Sequence, residues 1–232
     1  MFTTLKKDIR VIQDRDPAAK SKVEIVLCYS GLHAIWLHRV SHFLYIHNHP
    51  VIARCIATFS RFFTGIEIHP GAILGEGLFI DHGMGTVIGE TTIIGKNVTL
   101  YQGVTLGGTG KEKGKRHPTI GDYAVIACGA KVLGSFTVGE GAKIGAGSVV
   151  LREVPPHATV VGIPGHIVLR NPNTIVPHSG EAAVDLQHDR LPDPLEDELQ
   201  ALTQQLQQLR QKMLQQHEKP NAISYTHNAK NV

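Results

Sequence analysis

Cysteine is scarce in this 232-residue chain: Cys28, Cys55 and Cys128 are widely spaced, odd in number and without a CxxC pair. That excludes a disulfide framework and a zinc knuckle as organising devices, and a reducing compartment is expected. No run of about 18 apolar residues, the length a membrane span needs, occurs anywhere. The first residues, MFTTLKKDIRVIQDRDPAAK, lack the continuous apolar stretch of a signal peptide. A soluble, cytoplasmic protein with no membrane partner is expected. Charge of one sign is also in short supply. With 23 basic against 20 acidic residues the net charge is +3, too small to predict a nucleic-acid partner without a dense basic face.

What the chain does have is a rhythm. Aliphatic residues recur every six positions at Ile68, Leu74 and Ile80, then at Ile88, Ile94, Leu100 and Leu106, then from Ile120 through Ile126, Val132, Val138 and Ile144 to Val150. Glycine commonly follows, as in Leu74-Gly75, Ile88-Gly89 and Ile144-Gly145. A period of six fits neither a helix nor one long alternating strand. It fits short strands joined by tight turns in a solenoid, one aliphatic per hexad pointing inward. The register fails twice: Ile80 to Ile88 spans eight residues, and Leu106 to Ile120 spans fourteen. Residues that leave a solenoid stack form loops on its surface, where binding groups concentrate. Each break carries a histidine beside a charged residue, Asp81-His82 in the first and Arg116-His117 in the second.

The flanks differ in kind. Residues 1–65 show helical spacing, with Leu27, Leu32, Ile35, Trp36, Val40, Phe43 and Leu44 on one broad stripe, and Asp16-Pro17-Ala18 reads as a helix start. His33, His38, His42, His47 and His49 crowd this region, yet their spacing does not place three on one helical face, so structural or solvated roles are expected rather than a metal site. The solenoid is expected over 66–170, a linker over 171–194, and a coiled-coil helix over 195–216 with the seam Leu195, Leu199, Leu202, Leu206, Leu209 and Met213. Residues 217–232 are expected to be a disordered tail.

The hexads resemble those of hexapeptide-repeat proteins, which implies a left-handed parallel β-helix with three hexads per triangular coil. A closer likeness is carried by RDPA at 15–18, EIHPGA at 67–72, DHGMG at 81–85, GVTLGGTGK at 103–111, RHP at 116–118 and KIGAGSVVLREVPPH at 143–157. In that order they resemble the serine O-acetyltransferase family, whose members move an acetyl group from acetyl-CoA to the hydroxyl of L-serine for cysteine synthesis. A serine hydroxyl is a poor nucleophile near neutral pH, so a base must take its proton as it attacks the thioester. Histidine, with an ordinary pKa of about 6.5, suits that task, and the resemblance makes His82 the base and Glu67, where the family often has aspartate, the carboxylate that orients its ring. It assigns Asp16 and Asp81 to the substrate ammonium, and Arg116 with His117 to the carboxylate. Acetyl-CoA is a co-substrate rather than a resident cofactor, expected along the coils between adjacent subunits at Gly108, Thr109, Cys128, Lys143 and Ala146. Lys131 is an alternative to Lys143 for its phosphates. Transfer is expected to be direct, Cys128 having no adjacent basic residue to lower its pKa.

Other readings of the same residues are a hexapeptide acetyltransferase with another hydroxyl acceptor, a non-catalytic interaction solenoid, and a zinc hydratase of γ-carbonic-anhydrase type. For the last, His82 and His117 would supply two ligands, and PTIGDYAVIACGAK offers no third. The resemblance further implies a homotrimer or a dimer of trimers, and inhibition by cysteine at the serine site. The family's docking to O-acetylserine sulfhydrylase uses a terminal isoleucine, whereas this chain has Val232.

Overall fold

The computed structural model describes residues 2–110, 113–170 and 194–217. Four helices come first: α1 (Phe2–Arg15), α2 (Lys22–Cys28), α3 (Ser30–Ile46) and α4 (Pro50–Thr64). Ser21 starts α2 by accepting the Glu24 amide at 3.1 Å, and Pro50 begins α4, which stops at Gly65 in a left-handed backbone, φ 70°. Asp16 does not start a helix. It follows α1, and its carboxylate closes a local turn onto the Ala18 amide at 2.8 Å, a competing use of an aspartate beside proline that keeps residues 16–21 out of helical form.

The expected stripe is only partly a buried face. Leu32 and Ile35 are buried, but Leu27, Val40 and Phe43 are exposed. Leu27 belongs to a different helix, because the chain breaks at Tyr29 (ψ 102°) between α2 and α3. The buried face of α3 uses small residues, Gly31, Ala34 and Ser41 among them, which let its backbone approach the solenoid closely. A Cβ at Gly31 would lie 2.1 Å from the Ile80 carbonyl oxygen.

The solenoid winds through β1 (Glu67–Ile68), β2 (Ile73–Leu74) and β3 (Phe79–Ile80), then β4 (Val87–Ile88), β5 (Ile93–Ile94) and β6 (Thr99–Leu100), then β7 (Thr105–Gly107), β8 (Thr119–Ile120) and β9 (Val125–Ile126). A further turn is β10 (Lys131–Leu133), β11 (Thr137–Val138) and β12 (Lys143–Ile144), closed by β13 (Val149–Val150), β14 (Ala158–Val161) and β15 (His166–Arg170). Every third strand pairs in parallel, giving a first face β1-β4-β7-β10-β13, a second face of β2, β5, β8 and β11, and a third face β3-β6-β9-β12-β14 with β15 antiparallel at its end. The hexad aliphatics fill the space between the faces. All are buried except Leu74, which is half-buried and packs against the same cluster. Each fully buried side chain of this kind contributes about 1.5–3 kcal/mol of transfer free energy.

The helices share that core. Ala34, Ile35 and Ile66 belong to the cluster of the coils, while Val11, Ile12, Ile25 and Leu32 bury Phe79 on the outside of β3. Residues Met1–Pro192 accordingly cluster as one compact unit and Asp193–Val232 as a second. In the second unit α5 (Pro194–His217) is a 24-residue helix. The linker and tail expected on either side of it lie outside the described residues, as does Val232. Among the described residues no helix is long and apolar enough to cross a membrane.

Candidate active site

The two register breaks fall on different edges of the solenoid. The first, Asp81 to Gly85, lies on the return edge, where the chain passes from the third face back to the first; the second, Gly108 to Pro118, lies on the forward edge, between the first and second faces. Counting hexads in threes locates both. The eight-residue step follows the third hexad and the fourteen-residue step the seventh, so they cannot share an edge of a three-faced stack.

At the return edge Asp81 donates its amide to Leu100 at 2.8 Å and accepts the Gly83 amide at 2.6 Å, with His82 between them at φ 57°. A left-handed backbone costs a non-glycine residue on the order of 1 kcal/mol and persists where the surroundings impose it, as they do at many functional sites. Ser30 Oγ holds the turn by donating to the His82 carbonyl at 3.0 Å, leaving the His82 side chain exposed.

Asp16 is carried to this edge by α1. Arg15 reaches across the third face to the Gly77 carbonyl and Thr99 Oγ1, each at 3.2 Å, and to Asn97 Oδ1 at 3.3 Å. Its burial lowers the guanidinium pKa to about 10. Tyr29 donates to Asp16 Oδ2 at 2.6 Å, and burial followed by that bond drives the phenol pKa up. Burial also raises the Asp81 pKa, with Asp16 adding repulsion and His82 opposing it. Tyr101 feels Asp81, Cys128 and Asp16, its own pKa raised chiefly by burial. Asp16 and Asp81 thus stand close enough to repel one another, a repulsion that a cation beside them would relieve.

Below His82 the return edge has few side chains. Gly85, Gly103, Gly129 and Gly147 stack with φ between 68° and 76°, and a Cβ at Gly103 would meet the Gly129 Cα at 3.4 Å. Cys128 is half-buried and Ala146 exposed on this strip. Lys143 begins β12 on the third face, beside it. Lys131 donates its ammonium to the Gly103 carbonyl.

The forward edge carries the second group. Arg116 pairs with Glu90 and donates to the Gly114 carbonyl at 3.3 Å. Glu90 also accepts from Tyr45 of α3 at 2.9 Å, and Arg116 and Tyr45 together hold its carboxyl below the usual range. Thr91 donates its amide to His117 Nδ1 at 3.2 Å, so the neutral ring carries its proton on Nε2. Burial, then Arg116, lowers the His117 pKa. The ring lies against Gly89, where a Cβ would approach Cδ2 to 2.0 Å, and Nε2 stands 3.2 Å from the Cβ position of Gly108. Thr109 is exposed beside it.

One chain therefore brings Asp16, Asp81, His82, Cys128 and Ala146 to one edge, and Gly108, Thr109, Arg116 and His117 to another. Glu67, at the start of β1, binds Arg61 of α4 at 2.9 Å, and has no hydrogen bond to the His82 ring among the described residues. Sequence reasoning missed Arg15, Tyr29, Tyr45, Glu90, Thr91 and Tyr101. The positions of Glu90 and Thr91, directly after Ile88-Gly89 at the same corner as the long loop, were a usable signal; the tyrosines offered none. His33, His42 and His47 bond to carbonyls of Val26, Pro70 and Phe43 at 2.6–2.7 Å, and no metal-holding group of three His, Cys, Asp or Glu occurs among the described residues.

A three-faced solenoid of six-residue steps with polar groups at its two corner insertions is the architecture of a hexapeptide transferase, and a family profile described as "Bacterial transferase hexapeptide (six repeats)" matches residues 117–152. The serine acetyltransferase of Bacillus subtilis (strain 168) is 59% identical over 220 residues, covering 95% of this chain and 98% of its own length. The chain belongs to the serine acetyltransferase family. Two solved members superpose on it, that of Neisseria gonorrhoeae in complex with serine (TM-score 0.70, 43% identity, 72% of this chain and 69% of that one) and that of Brucella abortus strain S19 in complex with coenzyme A (TM-score 0.70, 46% identity, 72% and 67%).

Proposed function

We propose that this chain carries out its family's reaction, acetyl transfer from acetyl-CoA to the hydroxyl of L-serine, with His82 as general base. The observation that carries this reading is the return-edge turn. It holds an exposed imidazole in a left-handed backbone next to Asp81, whose carboxylate Asp16 repels, on the edge that also carries the strip of glycines. The substrate ammonium sits at Asp16 and Asp81, where it relieves the repulsion between the two carboxylates. His82 takes the hydroxyl proton as the oxygen bonds to the acetyl carbon. The C–S bond breaks, and the imidazolium returns that proton to the departing CoA thiolate. No enzyme nucleophile enters, so no acetyl-enzyme forms. Glu67 orients the ring once it exchanges Arg61 for His82.

The coenzyme's arm lies on the return-edge strip at Cys128 and Ala146, with Lys143 toward its phosphates and Gly108 and Thr109 closing over it. The substrate carboxylate meets Arg116, whose planar donors fit it, and His117. These groups stand on the forward edge, so the site closes between subunits, as a homotrimer or dimer of trimers allows. The six-residue step and the hexapeptide match support a left-handed winding, the exception to the usual hand of parallel crossovers.

The experiment is release of CoA thiol from acetyl-CoA with L-serine, homoserine or no acceptor. Serine-dependent release is expected, and release equal in all three would overturn the acceptor. For the shared site, His82→Ala and Arg116→Ala chains, each inactive alone, are expected to recover activity when co-assembled. No recovery, with mixed oligomers formed, would place both groups in one subunit's site.

A further inference from the structure

We infer that α5 is a docking surface for a second copy of itself, paired antiparallel. Leu199, Leu202, Leu206, Leu209 and Met213 lie 54–67% exposed along this 24-residue helix. They alternate by three and four residues, the 3.5-residue repeat that keeps one narrow seam facing a supercoiled partner. A helix that beds onto a broad protein surface carries a wider stripe of period 3.6. Off the seam, apart from Ala201, the residues from 200 to 212 are glutamine, threonine, arginine and lysine, and Leu214 follows the last seam position. At about three heptads such a helix is marginal alone in water, so the seam needs an occupant.

The sequence selects the orientation. Setting position 202 against 206 of the second copy also sets 199 against 209 and 195 against 213, so the whole seam is used without overhang. The same register brings positions 196 and 198 alongside 210 and 212 of the other helix. Those positions are Glu196 and Glu198, and Arg210 and Lys212. Each charged flank therefore meets the opposite sign, twice over by the two-fold symmetry, around a neutral centre at Thr203 and Gln205. In a parallel pair the flanking contacts would be 198 with 203, 205 with 210 and 212 with 217: Glu with Thr, Gln with Arg, Lys with His. That arrangement uses none of the four charges in an acid–base pair, and flanking charges are what set orientation in coiled coils. An antiparallel pair has two-fold symmetry and joins two chains, one from each of two assemblies.

The full chain tests this in a Cys28→Ser, Cys55→Ser background, which removes the two exposed thiols. Leu202→Cys and Leu206→Cys are made in separate chains, then oxidised singly and as an equal mixture. The mixture is expected to give a disulfide-linked dimer and neither chain alone, because only facing seam positions come within about 7 Å. Self-linking of either chain alone would show a parallel pair and overturn the orientation. No link in any of the three samples would overturn the pairing. Independently, Glu196→Lys with Glu198→Lys is expected to reduce the assembly mass measured by light scattering about twofold, and adding Arg210→Glu with Lys212→Glu in the same chain to restore it. A mass indifferent to these charges would overturn the register.

Discussion

His82 joins two properties in one residue, the imidazole proposed as general base and a left-handed backbone, and a substitution can separate them. Alanine removes the ring and also strains at φ 57°, whereas asparagine tolerates that conformation. His82→Asn is therefore expected to lower kcat about 100-fold or more while leaving serine KM and thermal stability close to those of the parent. Steady-state kinetics with a melting curve would check it, and a near-normal kcat would remove the imidazole from its role. Arg116, proposed to meet the serine carboxylate, depends on two further residues. Tyr45 holds Glu90, and Glu90 holds the guanidinium. Glu90→Gln keeps the shape and removes the charge, so serine KM is expected to rise about 10-fold, roughly 1.4 kcal/mol, with kcat changed less. An unchanged or lower KM would mean that Glu90 competes with the substrate for Arg116 instead of positioning it.

Among the elements, α3 sets how the helical layer meets the first coil. Gly31 faces the Ile80 carbonyl, one residue before Asp81, so a methyl there must push helix and coil apart. Gly31→Ala is expected to cost about 1–3 kcal/mol, the range for overpacking a close contact. It should also raise serine KM, because Asp16 follows a helix and Asp81 a coil strand, so the two proposed ammonium ligands stand on opposite sides of this joint. Denaturant titration and kinetics on the same sample check both effects, and a fully stable variant would mean that the joint is softer than its spacing. This contact marks where legibility in the sequence ends. The hexads were readable because one inward aliphatic every six residues is a local rule, and Ile88, Leu100 and Ile126 obey it. The polar pairs at the register breaks were readable for the same reason. The link from Tyr45 through Glu90 to Arg116 was not, since it joins residues 45 and 26 positions apart; the turn at Asp16 was not, since an aspartate beside proline serves a helix cap and a local turn equally well. Arg15 stood inside a quoted motif, yet only the fold shows that it fastens α1 to the third face.

Across the whole compact unit, the helices and the coils are held together at a seam that contains a buried base. His38 lies inside the joint, 5% exposed, with neither ring nitrogen hydrogen-bonded, near the carbonyls of His69 and Ala72, stacked 5.5 Å from His42 and close to Arg39. Burial, reinforced by His42, depresses its pKa from 6.5 to about 4. The folded state therefore binds fewer protons than the unfolded chain between those values, and stability must rise with pH across the window. The contribution is complete above about pH 6.5 and is lost as pH falls toward 4. From pH 7 to pH 5 the linkage amounts to about 2 kcal/mol, large against the roughly 5–15 kcal/mol net stability of an ordinary domain. Because α3 and the first coil share one core, that loss should appear in a single unfolding transition of the unit rather than in early release of the helices. His38→Leu, an apolar residue at an unpartnered polar position, is expected to flatten the dependence, so that denaturant midpoints at pH 7 and pH 5 differ by about 2 kcal/mol less than in the parent. Equal pH dependence in the two proteins would place the acid sensitivity on other groups, and two separate transitions in the parent would show that the helices and the solenoid do not stand or fall together.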